Sequence, residues 1–412
     1  MTNVPSSHKI LATVFLTILI DMLGMGILIP LFPMLIAPHS SFNIIPNNWT
    51  ISQGFIMAGW LMACFPLVQF FSAPLLGQLA DKYGRRKVLA FSISGTAISY
   101  ALFAVAVSSK NIPLMFISRA LDGASGGNIS VAQAIIGDIS KPANRAKNFG
   151  LVGVALGVGF VLGPFLGGIL SNPGIVGWFD VATPFWFATG LSILNVSLIL
   201  KLLPETLKLQ SERRLVLSKP IQNITKAFLI AEIRNIIPAV FLFNAGFTFF
   251  TTFWGVVLAD KFNFSQGQIG NFYAYIGIMV VLAQGGVVRR LSGKVAEYKV
   301  LRYSLIGTGI CLTGYAFIPV THVTWIYFLP PIMAVCIALT KAFSNALLTH
   351  VSPVEIRGEI MGINSSALAL AQAISALLAG YIAAQHTLLP ILVGGIIVIC
   401  GGILFRYSFK VA

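Results

Sequence analysis

Residues 77–87 read GQLADKYGRRK and place five charged side chains between two long apolar runs. The runs extend over about 52–78 and 88–108. Each is long enough to cross the roughly 30 Å hydrocarbon core of a bilayer as a helix. The glycines Gly77 and Gly84 allow a tight turn and a close approach of neighbouring helices. The segment therefore predicts a short charged turn that joins two membrane-spanning helices.

The composition extends this prediction to the whole chain. Of the 412 residues, 57% are hydrophobic and 9% are charged, whereas a soluble domain carries about 25% charged residues. So many apolar side chains cannot be buried in a water-soluble core, and lipid must be the solvent. The sequence predicts an all-α membrane protein with twelve transmembrane helices. They lie near residues 10–36, 52–78, 88–108, 112–137, 147–171, 183–203, 235–259, 267–289, 300–319, 323–348, 358–383 and 388–406.

The basic residues alternate between the two sides of this predicted topology. One set of loops holds nearly all of them, and the opposite set holds only Lys110 and Lys261. The basic set comprises Lys82, Arg85, Arg86, Lys87, Lys141, Arg145, Lys147, the 201–234 cluster, Arg289, Arg290, Lys294, Lys299, Arg302 and Arg357. The positive-inside rule therefore predicts that both termini are cytoplasmic, and the short loops favour a bacterial inner membrane. Since the net charge of +15 then reflects topology, we expect no nucleic-acid partner.

The two halves of the chain resemble each other at a constant spacing of 212 residues. LADKYGRRKVL at 79–89 corresponds to LSGKVAEYKVL at 291–301, and the same spacing aligns Arg145 with Arg357. The charged stretch between the halves is interpreted as a cytoplasmic linker. We therefore predict two pseudo-symmetric six-helix bundles, a plan typical of alternating-access transporters. The predicted domains are an N-terminal bundle over 1–202, a linker over 203–234 and a C-terminal bundle over 235–412.

The charged turn also has a specific sequence pattern. Gly77, Asp81, Gly84, Arg85 and Arg86 resemble the signature loop of the major facilitator superfamily, G-x-L-A-D-x-x-G-R-R/K. The resemblance implies the major facilitator fold and a gating role for this loop. Asp81 would pair with a basic group and with the end of a neighbouring helix. A basic turn that only fixes the orientation in the membrane is the alternative.

Glycine recurs at helical spacing in the fifth predicted span, in a pattern that resembles the antiporter motif of the same superfamily. The motif residues are Gly150, Gly159, Gly163, Pro164, Gly167 and Gly168. Because Gly159, Gly163 and Gly167 are one turn apart, they form a smooth groove on one helix face, and Pro164 can kink the helix. The resemblance favours export by antiport over uptake. A role in packing alone is the alternative.

Ionisable residues lie within two other spans. Asp21 lies in the first span, in a context that resembles the drug–proton antiporters, the tetracycline exporters in particular. In the fourth span, Arg119 and Gly123 resemble the superfamily's R-x-x-x-G motif, which is linked to proton transfer. An arginine in hydrocarbon needs a partner, and either Asp122, on the same helix face, or Asp21 could neutralise it. Asp21, Arg119 and Asp122 are therefore candidate proton-coupling residues, and a static ion pair is the alternative.

The resemblance to the tetracycline exporters is incomplete. Their pattern places further acidic residues in the third and ninth spans, whereas 88–108 and 300–319 carry none here. We therefore expect proton coupling to rest on Asp21 and Asp122, and we do not expect tetracycline to be the substrate.

Candidate substrate-binding residues lie in the second half. Phe243, Phe247, Phe250 and Trp254 follow helical spacing and form one aromatic stripe, which suits a lipophilic, partly aromatic substrate. Lys341 lies inside the tenth span, where it could attract an anionic or zwitterionic substrate or pair with a carboxylate. A stripe that faces lipid or other helices is the alternative. The polar candidates are Asn244, Gln284 and Gln372.

The sequence indicates a secondary active transporter and not an enzyme. It contains no nucleotide-binding P-loop, no His/Cys cluster for a metal and no Ser/His/Asp grouping, so we expect no cofactor and no metal. The predicted function is proton-coupled export of drug-like or amphipathic small molecules (multidrug efflux) by a monomer in the lipid bilayer. A nutrient or siderophore importer or facilitator of the same fold is one alternative. A membrane scaffold or sensor without transport is another.

Overall fold

A computed structural model describes residues 7–36, 43–140, 145–207, 215–353 and 357–409 of the chain. Within these ranges the regular structure is helical, without a β-strand. A π-helix (Gln284–Val288) joins α10 to α11, and a 3-10 helix (Val320–Tyr327) precedes α13. The α-helices are α1 (Ser7–Ile36), α2 (Ile51–Tyr83), α3 (Arg85–Ser108), α4 (Ile112–Ser125), α5 (Asn128–Ile139), α6 (Arg145–Leu170), α7 (Thr183–Leu202), α8 (Lys219–Leu229), α9 (Ile237–Phe262), α10 (Gln266–Ala283), α11 (Arg289–Leu291), α12 (Glu297–Ala316), α13 (Leu329–Val351), α14 (Arg357–Ala383) and α15 (Leu389–Ser408).

Nine helices in the described ranges are long and apolar enough to cross a membrane. They correspond to α1, α2, α3, α7, α9, α10 with its continuation, α13, α14 and α15. The other three predicted spans coincide with the α4–α5 pair, with α6 and with α12. The prediction of an all-α membrane protein is confirmed, whereas twelve spans in two bundles stay a prediction.

Local side-chain chemistry sets several helix ends. The Asn111 side chain accepts a hydrogen bond from the backbone N of Leu114 at 3.0 Å and caps α4. Ser265 and Gln268 form a capping box at the start of α10. Asn263, with φ 55°, ends α9 in the left-handed conformation that commonly stops a helix.

The predicted span near 112–137 is interrupted in its middle. α4 ends at Ser125 and α5 begins at Asn128, with Gly126-Gly127 between them. Glycine costs a helix about 1 kcal/mol per residue relative to alanine, so two adjacent glycines weaken the helix at this point. The span is therefore two short helices that meet at a break.

The chain forms two compact units, and the first contains Met1–Leu31 and Val68–Lys219. In this unit α3 packs against α4 and α7, and α5 packs against α6. Six helices contribute fully buried side chains to one apolar core: Val14 of α1, Ala80 of α2, Leu89 of α3, Ile135 of α5, Ala155 of α6 and Ile199 of α7. This core surrounds the part of α1 that precedes Asp21.

The second unit contains Phe32–Leu67 and Pro220–Ala412. α9, α12 and α15 pack against one another, and α14 packs against α9. The first half of α2 also belongs to this unit, where a Cβ atom added to Gly59 would lie 2.8 Å from the Cα of Gly380. At the next residue of each helix, Trp60 Nε1 donates to the Tyr381 hydroxyl at 3.2 Å. Small residues thus let α2 and α14 approach closely.

The predicted linker at 203–234 contains α8, which is fixed to the start of α14. Lys226 forms an ion pair with Glu359, and Asn223 Nδ2 donates to the Ser366 hydroxyl at 3.0 Å. The linker is therefore in part an ordered helix.

The internal repeat is visible in the helix boundaries. α3 begins at Arg85 and α12 begins at Glu297, and these two positions are separated by the 212 residues that relate the two halves of the sequence.

Candidate functional site

Asp21 lies within α1 and is half-buried. Its Oδ1 accepts a hydrogen bond of 2.5 Å from Nδ2 of Asn128, the first residue of α5. Asn128 is 1% exposed, and its Oδ1 accepts a hydrogen bond from the backbone N of Ile129 at 2.8 Å. Because the amide oxygen faces its own helix, the amide NH2 is turned toward the carboxylate. The Asp21 carboxylate thus accepts a hydrogen bond from an uncharged side chain that lies at the break in the fourth predicted span.

Arg119 and Asp122 form a buried ion pair on α4, with Arg119 Nη1 3.0 Å from Asp122 Oδ2. Their exposed fractions are 8% and 3%. Of the two partners that the sequence left open for Arg119, this pair is the one formed within α4. The buried Tyr100 of α3 packs against α1, since a Cβ atom added to Gly24 would lie 1.8 Å from the Tyr100 hydroxyl. Gly24 therefore makes room for a phenol next to Asp21.

Side chains of α2 and α3 donate to three carbonyls at the helix break, and two of these carbonyls, those of Gly123 and Ser125, also accept backbone hydrogen bonds. Gln69 Nε2 donates to the Gly126 carbonyl at 2.6 Å, and the Ser72 hydroxyl donates to the Gly123 carbonyl at 2.5 Å. The Ser92 hydroxyl donates to the Ser125 carbonyl. Buried carbonyls without partners would each cost free energy comparable to a lost hydrogen bond, so these side chains stabilise the break.

The glycine groove of α6 fits directly onto α1. Cβ atoms added to Gly159, Gly163 or Gly167 would lie 2.4 Å from Met22 Cβ, 2.7 Å from Gly26 Cα and 2.7 Å from the Ile27 carbonyl, respectively. Pro164 lies inside this helix, and Gly168 is buried beside Gly167. The surroundings of Gly150 lie outside the described residues. The antiporter-like motif thus packs on the helix that carries Asp21.

The charged turn is shorter than its sequence pattern predicts. Residues 77–83 complete α2, α3 begins at Arg85, and only Gly84 lies between them, with φ 104°. Among the described residues, no neighbouring atom lies within 4 Å of a Cβ atom added at Gly77, so the structure shows no close approach at this glycine, which lies inside α2. Gly84 alone supplies the left-handed conformation that other residues rarely adopt.

Charged groups connect this turn to two other segments. Asp81 and Arg85 form an ion pair with Nη1–Oδ1 at 2.6 Å, and Arg85 Nε lies 3.3 Å from Asp138 Oδ2 at the end of α5. Glu205 of the linker accepts from the backbone N of Arg85 at 2.9 Å and from that of Arg86 at 3.3 Å. The helix end is thus bonded by Glu205, a residue that the motif does not include, and Asp81 pairs within its own turn.

The aromatic stripe of α9 forms a continuous stack. Successive ring centroids lie 6.0 Å apart for Phe243 and Phe247, 6.3 Å for Phe247 and Phe250, and 5.5 Å for Phe250 and Trp254. Phe243, Phe250 and Trp254 are at most 1% exposed, and Trp254 also contacts Tyr315 of α12 at 4.6 Å. These three rings therefore serve helix packing, and Phe247 is the half-buried member that a solute could contact.

Lys341 meets the stripe at this accessible ring. It lies in the middle of α13 with its side chain exposed, and its Nζ is 5.4 Å from the Phe247 ring centroid. This distance is within the range of cation–π attraction. The structure therefore brings together one cation and one aromatic face.

The polar candidates of the second half are more dispersed. Asn244 Nδ2 donates to the Val240 carbonyl of its own helix at 2.7 Å. Gln284 is half-buried at the start of the π-helix, which packs against α13. Gln372 is half-buried in α14, which packs against α9. Asn244 is thus partly engaged by its own backbone, and Gln284 and Gln372 lie on helices next to the Lys341–Phe247 pair.

Comparisons with known proteins cover most of the chain. The family model described as Major Facilitator Superfamily matches residues 14–342. The mouse (Mus musculus) protein called Major facilitator superfamily domain-containing protein 10 is 27% identical over 419 residues, covering 91% of this chain and 87% of that protein. The Escherichia coli tetracycline resistance protein, class C, is 29% identical over 330 residues, covering 79% of this chain and 77% of that protein.

Solved structures share the fold. The crystal structure of the human organic anion transporter MFSD10 (TETRAN) superposes with a TM-score of 0.73 at 22% identity, covering 97% of this chain and 100% of that chain. The structure of a D-xylose–proton symporter superposes with a TM-score of 0.80 at 14% identity, covering 98% of each chain.

Proposed function

Because the chain belongs to the major facilitator superfamily, we propose that it is a secondary active transporter that exports drug-like or amphipathic small molecules in exchange for protons. Membership makes it an integral membrane transporter of small molecules and not an enzyme. The coupling ion, the direction and the substrate class belong to the proposal. The observation that carries it is the contact between Asp21 and Asn128, beside the Arg119–Asp122 pair.

The proposed coupling follows from the charges of this cluster. Arg119 and Asp122 neutralise each other as an ion pair, so Asp21 contributes the remaining negative charge. A charged carboxylate near the centre of a bilayer costs about 2.5–3.5 kcal/mol on insertion scales. Binding a proton at Asp21 neutralises the cluster, and releasing it restores the charge. A charge that changes with proton binding favours different packing of α1 in the two states.

The glycine groove supports a moving role for α1. Gly163 and Gly26 bring the α6 and α1 backbones into direct contact, and such a surface has no large side chains that would interlock the two helices. We propose that α1 shifts along this groove as Asp21 gains or loses its proton. The Asp81–Arg85–Asp138 ion pairs and Glu205 belong to the proposed gate at the ends of α2 and α3.

The proposed substrate is an amphipathic molecule with an aromatic group and a negative charge. Lys341 offers the cation and Phe247 the aromatic face. One similar protein is called an organic anion transporter, and others are called tetracycline resistance proteins. The remaining features of the proposal are a monomer in a bacterial inner membrane with both termini cytoplasmic, and no nucleic-acid partner.

Transport driven by a pH gradient tests this function. Purified protein in liposomes would be given radiolabelled p-aminohippurate, an aromatic anion, or tetracycline, with and without an imposed gradient. The proposal predicts accumulation of at least one probe against its own gradient. It also predicts that Asp21→Asn abolishes accumulation, because the asparagine cannot carry the proton, while downhill movement of the probe continues.

Two results would contradict this proposal. If Asp21→Asn accumulates the probe like the wild type, Asp21 is not the coupling residue. If the wild type moves the probes only downhill and at the same rate with or without the gradient, the protein is a facilitator.

A further inference from the structure

We propose that Asn128 is a positioning residue that links the protonation of Asp21 to the helix break at Gly126-Gly127. This inference rests on the proposed function, because it needs Asp21 to exchange protons. It goes further by assigning a role to a residue and to a break in the fourth span.

Hydrogen bonds fix the orientation of the Asn128 side-chain amide. Asn128 is 1% exposed and opens α5. Its Oδ1 accepts from the backbone N of Ile129 at 2.8 Å, while its Nδ2 donates to Asp21 Oδ1 at 2.5 Å. An amide whose oxygen is bonded to its own helix can present only N–H groups to α1. The residue is therefore a donor to Asp21, and a donor favours the charged carboxylate.

Side chains of α2 and α3 form hydrogen bonds with the backbone at the helix break. Gln69 and Ser72 of α2 bond the carbonyls of Gly126 and Gly123, and Ser92 of α3 bonds the carbonyl of Ser125. These contacts fix the break to neighbours of α1. Asn128 connects the break to α1, because its side chain donates a hydrogen bond to Asp21.

Other helices contribute further charged and titratable groups around Asp21. α4 contributes Arg119 and Asp122, which pair with each other. α3 contributes the hydroxyl of Tyr100, which packs over Gly24, one turn from Asp21. α6 presents glycines to this stretch of α1. Asn128 thus supplies a neutral hydrogen-bond donor within a cluster of mixed charge.

The proposed effect of protonating Asp21 follows from these contacts. With Asp21 charged, the Asn128 bond holds α1 to the start of α5. A proton on Asp21 replaces a charge-assisted hydrogen bond by a neutral one, which is about half as strong. The link between α1 and α5 then weakens, and the glycine-flanked start of α5 can move relative to α1.

The test is the pH dependence of exchange in Asn128 variants. Equilibrium exchange of p-aminohippurate or tetracycline, whichever the wild type transports, would be measured in liposomes between pH 5 and 9. Asn128→Ala removes the donor to a charged group, so the midpoint of the profile is expected to rise by about one pH unit. Asn128→Ser keeps a hydroxyl that can cap α5 but does not reach Asp21, and the same shift is expected.

Asn195 of α7 provides the matched control. It is fully buried, and its Oδ1 accepts from the Thr17 hydroxyl of α1 at 3.0 Å. Asn195→Ala therefore removes a buried amide contact to α1 without touching a carboxylate. Its melting temperature in detergent is expected to fall as in Asn128→Ala, and its pH midpoint is expected to stay at the wild-type value.

The outcomes separate this inference from the proposed function. If Asp21→Asn removes the pH dependence but both Asn128 variants keep the wild-type midpoint, the positioning role is overturned and proton coupling stands. If Asp21→Asn keeps the wild-type profile, the proposed function fails first. If Asn195→Ala shifts the midpoint as much as Asn128→Ala, the effect is general loosening and the positioning role is again overturned.

Discussion

Two ionisable side chains lie within predicted spans in very different surroundings. Asp21 is half-buried in α1 and bonded to Asn128, whereas Lys341 is exposed in α13 over the Phe247 ring. An exposed cation beside an aromatic face can be reached by a solute, while a carboxylate held by a buried amide is better suited to a proton. At the scale of single residues, we therefore assign proton exchange to Asp21 and substrate charge to Lys341.

Replacing Lys341 tests the second assignment. Lys341→Ala is expected to raise the KM for p-aminohippurate about ten- to a hundredfold, since one charge-assisted contact is worth about 1.5–3 kcal/mol and 1.4 kcal/mol is a factor of ten. Lys341→Arg keeps the cation and should stay close to the wild type. The measurement is the initial rate of uptake into liposomes over a range of p-aminohippurate concentrations.

The control compound in this experiment is the derivative of p-aminohippurate in which an uncharged carboxamide replaces the carboxylate. Its inhibition constant against uptake of the anion should be the same in Lys341→Ala as in the wild type. Equal loss of affinity for the anion and the amide would mean that Lys341 shapes the site without recognising charge.

Sequence spacing predicted some of these residues and missed others. Arg119 and Asp122 are three residues apart, so helix geometry alone places them on one face, and the structure pairs them. Asn128 bonds a residue 107 positions away, and Glu205 bonds one 120 positions away. Such contacts depend on helix packing, which a local pattern does not specify.

At the scale of elements, α6 packs on α1 through a row of glycines. Three glycines one turn apart place the α6 backbone against Met22, Gly26 and Ile27 of α1. One of these contacts joins two glycines, Gly163 and Gly26, so at this point neither helix has a side chain that could move aside. The groove therefore tolerates no added volume at this point.

Gly163→Ala should damage this contact. The added Cβ would lie 2.7 Å from the Gly26 Cα, so the backbones must separate. We expect the free energy of unfolding to fall by about 1–3 kcal/mol, which would appear as a lower melting temperature in detergent, together with a loss of transport.

Gly190 of α7 supplies the control, because no neighbouring atom in the part of the chain that the structure describes lies within 4 Å of a Cβ atom added there. Gly190→Ala should leave both melting temperature and transport unchanged. The account of the groove would be refuted by a Gly163→Ala variant as stable and active as Gly190→Ala.

The apolar pattern predicted helices better than it predicted their interruptions. It placed a span at 112–137, where the chain forms α4 and α5. It also predicted a turn over 77–87, where only Gly84 interrupts two helices. Glycine is tolerated inside membrane helices when neighbours bond the freed carbonyls, and here Gln69 and Ser72 do so for the break. Those partners come from α2, so Gly126-Gly127 alone did not decide the outcome.

At the scale of the whole molecule, the two halves share a repeat but differ in the residues to which we assign roles in transport. α3 and α12 begin 212 residues apart, yet Gly293 stands where the first half has Asp81. Asp21, Arg119 and Asp122 lie in the first unit, whereas Phe247 and Lys341 lie in the second. We therefore propose that one unit carries the coupling ion and the other carries most of the substrate-binding surface.

The most direct test of this account is proton movement driven by substrate alone. Liposomes containing the purified protein and a luminal pH-sensitive dye would receive p-aminohippurate or tetracycline on one side, with no imposed pH gradient. The account predicts that the wild type moves protons opposite to the probe, and that Asp21→Asn moves the probe downhill without protons. Probe movement without proton movement in the wild type, or unchanged proton movement in Asp21→Asn, would contradict it.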